Sequence, residues 1–167
     1  VEHATFAYPS SESVPGRPVI RDVSLSIPAR TSCAIVGPSG SGKTTLVNLM
    51  ARFWDVSSGR VTVGGVDVRE WKLDSLMERF SMVFHDVYLF NDTVENNIRF
   101  GKPDATHEEV VDAARRARCH EFIEQLPQGY ETMLGEGGAT VSGGEKQRIS
   151  IARALLKDAP VILLDEA

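Results

Sequence analysis

The stretch Gly37-Pro38-Ser39-Gly40-Ser41-Gly42-Lys43-Thr44-Thr45, set directly behind the apolar run Cys33-Ala34-Ile35-Val36, constrains this chain more than any other. Gly37, four intervening positions, then Gly42, Lys43 and Thr44 fit the phosphate-binding loop pattern, in which a strand feeds a glycine turn that opens a helix. Glycines at 37, 40 and 42 let the backbone bend without side-chain clash, so consecutive N–H groups can converge on phosphate oxygens. The helix adds the positive end of its dipole. Lys43 is then the point charge for the β- and γ-phosphates. The Thr44 hydroxyl is a candidate ligand for Mg²⁺, a hard cation that prefers oxygen, and Thr45 is a candidate phosphate contact. A flexible glycine turn before a helix is the alternative use of such a string.

A second string, Val161-Ile162-Leu163-Leu164-Asp165-Glu166-Ala167, weighs against that alternative. Its apolar run predicts a buried parallel strand, and carboxylates at a strand's carboxyl end face the ligand crevice of an open α/β sheet. Asp165 is the candidate to hold the magnesium beside Thr44, through a coordinated water. Glu166 is the candidate to polarise the water that attacks the γ-phosphate. A solvated acidic turn after a core strand would be the better reading if the glycine loop were absent.

Between the two lies Val141-Ser142-Gly143-Gly144-Glu145. With it, the chain resembles the nucleotide-binding domain of an ABC transporter of exporter type over essentially its whole length. The string is similar to the family signature LSGGQ, with Val for Leu and Glu for Gln. The resemblance implies that ATP and Mg²⁺ are the ligands. It also implies that Ser142, Gly143, Gly144 and Glu145 of one subunit cover the γ-phosphate held by the glycine loop of a second, head to tail. Ser142 followed by Glu145 is also a capping box for the helix it opens. Both uses stay open, the cap holding without ATP and the hydroxyl turning to phosphate on closure.

Further positions follow from the same resemblance. Tyr8 matches the aromatic residue that stacks on adenine. Glu136, in the segment Gly129 to Gly138, matches an acidic residue near the cytoplasmic loops of the membrane domain. His85 stands where the family usually has Gln, which touches metal and attacking water. Imidazole is a poor Mg²⁺ ligand but can hydrogen-bond a water. A tolerated replacement with altered coupling and a site of reduced hydrolysis are the two readings. The chain is expected to be incomplete at both ends, stopping before the family's switch histidine, a position that none of His3, His85, His107 or His120 fills.

Composition bounds the rest. A chain of 167 residues can bury roughly two-thirds of its unfolded surface, enough for one domain core. The net charge of −5, with no basic block, argues against nucleic acid as a partner. No apolar run approaches the ~20 residues needed to cross a bilayer, and no signal peptide is visible. Cys33 and Cys119 lack metal-type spacing and read as free thiols in a reducing compartment.

Periodicity and breakers predict an α/β fold: a P-loop core with a mainly parallel sheet, an antiparallel patch near the N-terminus and an inserted helical subdomain. Val19 to Ile27 alternates, and Arg60 to Val63 and Val66 to Val68 flank the turn Gly64-Gly65. Lys43 to Phe53 reads as helix, Asp74 as the cap of a helix running to Phe80, and Ser81 to Phe84 as a core strand. Thr93 starts a helix, Thr106 with Glu109 forms a capping box, and His120 to Leu126 gives another helix. Gly143 to Lys157 is the signature helix, burying Ile149, Ala152, Leu155 and Leu156. Residues 1–85 and 157–167 are the expected ATP-binding core, and 86–156 the helical arm. The function implied is ATP hydrolysis that drives transport, at the cytoplasmic face of a membrane. Its partners would be a second nucleotide-binding domain and a transmembrane domain. A soluble ABC ATPase of DNA repair or translation, and a non-hydrolysing nucleotide sensor, are the alternatives.

Overall fold

The computed structural model describes residues 1–9 and 17–165. They form two compact units, Val1–Met77 and Glu78–Ala167.

The first unit opens on strand β1 (Glu2–Phe6), which pairs antiparallel with β2 (Ile20–Val23) on one side and with β3 (Ser58–Arg60) on the other. Both pairings slip register. The slips coincide with His3 and Asp22, whose φ angles of 48° and 49° are left-handed, as at a β-bulge. The two bulged residues are joined by a 2.8 Å contact between His3 Nδ1 and Asp22 Oδ1. Ala4 and Phe6 turn inward and are buried. Of the expected alternation to Ile27, strand β2 realises the part as far as Val23, where the ladder resumes opposite Ala4 past the bulge, and Leu25 and Val1 exchange backbone hydrogen bonds at 3.0 Å beyond it.

Helix α1 (Lys43–Met50) buries Leu46, Val47, Leu49 and Met50. It ends before Phe53 because Arg52 takes a left-handed φ of 58°, with its guanidinium bonded to the carbonyls of Val68 and Trp71 at 3.0 and 3.1 Å. Strands β4 (Thr62–Val63) and β5 (Val66–Asp67) make the hairpin expected around Gly64-Gly65. Helix α2 (Leu73–Met77) follows. Asp74 lies inside its first turn instead of capping it, because the Lys72 carbonyl already accepts from Leu76 N–H at 2.9 Å.

The strand expected at Cys33 to Val36 does not form. No sheet of the described residues includes it, and Val36 is 87% exposed. Strand conformation is stabilised by ladder partners, and an apolar run without them stays irregular.

In the second unit, β6 (Phe80–Val83) pairs in parallel with β7 (Val161–Leu164), and four α-helices separate the two strands in sequence. Those helices are α3 (Val94–Arg99), α4 (His107–Arg116), α5 (His120–Glu124) and α6 (Gly143–Lys157). Asp158, left-handed at φ 51°, ends α6 and turns the chain into β7 (Val161–Leu164). Phe80 faces Val161 and Val83 faces Leu164 in an unbroken register. Ile162 and Leu164 remain exposed, so β7 is half-covered, contrary to the expected buried strand. Among the described residues this pair is the only parallel one.

Val94, Ile98, Val110, Ala113, Ile123, Leu134, Ile149 and Ala152 make the helical core. Leu156 is buried with them, and Leu155 packs at the margin. The side chain of Asn97, 1% exposed, organises the entry to α3. Its Oδ1 accepts from Phe90 N–H at 2.8 Å, and its Nδ2 donates to the carbonyls of Phe90 and Thr93 at 3.0 Å. Arg153 of α6 donates to the Asn97 carbonyl at 2.8 Å and to its Oδ1 at 3.2 Å. Asn97→Ala strands these backbone groups, and an expected loss of about 2–3 kcal/mol should appear as a lower urea midpoint. A midpoint equal to wild type would remove Asn97 from this role.

Candidate functional site

In the first unit the loop between Val36 and Lys43 is closed by Ser41 N–H donating to the Pro38 carbonyl at 3.2 Å. Gly40 and Gly42 sit at φ 78° and 91°, angles that an L side chain rarely takes. A Cβ on Gly42 would lie 2.9 Å from Ile20 Cδ1, so the Ile20 side chain of β2 would have to shift to admit one. Gly42 is the N-cap of α1 and brings no capping side chain. A helix that starts on a residue without a capping side chain offers its positive end to an anion, which fits a phosphate group. Lys43 folds back over the loop, its Nζ donating to the carbonyls of Gly37 and Pro38 at 3.1 Å each. Pro38, Ser39, Gly40 and Ser41 are exposed around it.

Tyr8 reaches the same helix. Its hydroxyl is 3.0 Å from Thr45 Oγ1, and its ring meets Phe6 and Trp54 edge to face, at 4.9 and 5.5 Å between centroids. Thr45 is buried, while Thr44, one position earlier, is exposed.

In the second unit Asp165 and His85 occupy the carboxyl ends of the two parallel strands. Asp165 N–H extends the ladder by donating to the Val83 carbonyl at 2.9 Å, and His85, exposed, follows two residues beyond Val83. Strand ends of this kind are where α/β sheets bind ligands. Glu166, expected to handle the attacking water, lies outside the described residues.

The signature segment forms the start of α6. Ser142 is the N-cap, and both halves of its capping box are present. Ser142 N–H and hydroxyl each donate to Glu145 Oε2 at 2.7 Å, and Glu145 N–H donates back at 3.4 Å. Ser142, Gly143 and Gly144 are exposed. Glu136, also exposed, lies in a 3₁₀ turn with Gly137 and Gly138. The buried Cys119 thiol is pushed up to about 12 by desolvation, so it is inert as a thiolate, whereas Cys33 is an exposed free thiol.

Two contributors lay beyond sequence reasoning. Trp54 and Phe6 form the aromatic setting of Tyr8, and Arg153 lies over the rings of Phe90 and Phe100 at 5.6 and 5.5 Å. An aromatic cluster shared by a strand end and a helix end leaves no local pattern.

A glycine loop folded around its own lysine, with a separate helical unit led by a capped Ser-Gly-Gly turn, defines an ATP-binding domain of the P-loop class. Residues 20–167 match the family model described as ABC transporter, and the chain belongs to that family. It is 51% identical over 166 residues to the mitochondrial iron-sulfur clusters transporter ATM1 of Gibberella zeae, covering 99% of this chain and 23% of the relative. It is 49% identical over 168 residues to the ATP-dependent lipid A-core flippase of Vibrio cholerae, covering all of this chain and 28% of that one. A solved structure of a bacterial Atm1-family ABC exporter with ATP bound superposes with a TM-score of 0.92 at 41% identity, over 99% of this chain and 28% of that chain. The chain thus spans about a quarter of the length of these relatives. No helix among the described residues is long and apolar enough to cross a membrane.

Glu145 titrates below the ordinary glutamate range, first because the Ser142 hydroxyl and then because the Ser142 N–H favour its charged form. A depressed carboxylate stabilises the fold above its unfolded value, about 4.3, and that contribution fades as pH falls through the lower folded value. Acid unfolding of wild type should therefore begin earlier, relative to neutral pH, than that of Glu145→Gln. Identical acid limbs would show that the cap carries no charge dependence.

Proposed function

We propose that this chain binds ATP with magnesium, hydrolyses it to ADP and phosphate, and energises a transmembrane domain of the same transporter. It would do so by closing head to tail on a second nucleotide-binding domain, at the cytoplasmic face of a membrane. The observation that carries the reading is the loop itself: a left-handed glycine at the N-cap of α1, with the Lys43 ammonium resting on the Gly37 and Pro38 carbonyls. An ammonium held by two neutral carbonyls is easily drawn to a phosphate, where charge strengthens each hydrogen bond.

The backbone of Gly37 to Thr45 would cradle the phosphates, Tyr8 would stack on the base, and Thr44 with Asp165 would supply oxygen to Mg²⁺. Bound magnesium would neutralise charge on the terminal phosphates. Glu166 would accept the proton of the attacking water and His85 would hold that water by a hydrogen bond. Ser142, Gly143, Gly144 and Glu145 would present a helix N-terminus to the γ-phosphate of the partner domain, with developing charge met by those amides and by Lys43. Residues 1–85 and 157–167 would act as the core and 86–156 as the arm that passes closure to the membrane domain. Exposure of Ser142, Gly143 and Gly144 favours such a contact.

Lys43→Ala should weaken ATP binding about 10–100-fold, the loss of charge-assisted hydrogen bonds, in equilibrium titration of the full-length protein. Glu166→Gln, the control, should bind ATP and lose turnover. Undiminished affinity in Lys43→Ala would sink the reading. Ser142→Ala should abolish most ATP-driven association while costing only about 1 kcal/mol of stability from the lost cap. A variant that melts early yet dimerises normally would leave Ser142 with capping alone.

A further inference from the structure

Stacking on a purine needs a ring and no hydroxyl, yet the aromatic residue at position 8 is a tyrosine whose hydroxyl is engaged. Its oxygen lies 3.0 Å from Thr45 Oγ1, and Thr45 is only 7% exposed. Tyr8 itself is 38% exposed and stands beyond the end of β1, where no strand ladder fixes it. Its setting comes instead from α1. Thr45 belongs to the first turn of that helix, and Trp54, edge to face with Tyr8 at 88°, follows its end. Phe6, at 82°, is the ring it meets from β1.

We propose that the Tyr8–Thr45 hydrogen bond fixes the ring that stacks on the base, making Thr45 a positioning residue for adenine as well as a member of the phosphate loop. The proposal rests on the reading of this loop as a nucleotide site. Its physical content is that the base platform is tied by its hydroxyl to the helix that opens the phosphate cradle, so the distance between them is set before ligand arrives. A ring held by packing alone can swing about its χ angles, and ordering it on binding costs conformational entropy. A partly buried tyrosine hydroxyl with a hydrogen-bond partner removes that freedom in advance.

The test separates base from phosphate. The full-length protein is titrated with ATP and with inorganic triphosphate, as wild type, Tyr8→Phe, Thr45→Ser, Thr45→Val and the double variant Tyr8→Phe/Thr45→Val. Tyr8→Phe keeps the ring and should weaken ATP binding about 2–10-fold, the worth of one neutral hydrogen bond, with triphosphate affinity unchanged. Thr45→Ser should bind ATP as wild type does. The double variant should bind ATP no more weakly than Thr45→Val alone, the non-additivity of a shared interaction. The proposal is overturned if Tyr8→Phe binds ATP like wild type, or if it loses ATP and triphosphate equally, which would put the hydroxyl on the phosphate path. Loss of the site reading itself has a different signature: ATP affinity that ignores Lys43→Ala.

Discussion

The left-handed turn at Gly42 sets the character of the N-terminal unit. A residue with a Cβ would meet Ile20 and strain its own backbone, so the loop closes only on glycine, and glycine carries no side chain to cap α1. The same geometric demand that shapes the loop therefore leaves the helix end without a capping side chain. Lys43 stands at that end bonded to the carbonyls of Gly37 and Pro38, which keep an ammonium at the place where a helix dipole already favours an anion. Fold and ligand chemistry share one cause here.

The second unit follows a different rule, because three of the four α-helices among its described residues begin on a capping side chain. Thr93, Thr106 and Ser142 each cap the helix they precede, and Asn97 with Arg153 links the start of α3 to α6. Buried polar groups tied to backbone in this way rigidify a core that apolar packing would leave less defined. At α6 the cap uses the hydroxyl that the proposed partner contact requires. Glu145 competes for it as a carboxylate, a stronger acceptor than the amide found in the family signature, so the release of Ser142 carries an energetic threshold.

Membership of the ABC transporter family rests on the match over residues 20–167 and on identities near one-half to an ATM1 transporter and a lipid A-core flippase. These relatives differ in what their names say they move while keeping a similar segment.

Local chemistry was legible in the sequence: the capping boxes at Thr106 and Ser142, the hairpin around Gly64-Gly65, and helix α6 from Gly143 to Lys157 all depend on residues a few positions apart. The glycine loop was legible for the same reason. Features that need distant partners were not. Cys33 to Val36 has the composition of a core strand and lacks a ladder, α1 stops where Arg52 finds carbonyls of Val68 and Trp71, and β7 keeps an exposed face. Tyr8 could be assigned to a base only by resemblance, and its anchorage on Thr45 and Trp54 emerged only when strand end and helix were folded together. The sequence determined which groups are available and how each turn begins; tertiary structure decided which of them meet, because hydrogen bonds and ring contacts between remote residues have no periodicity to betray them.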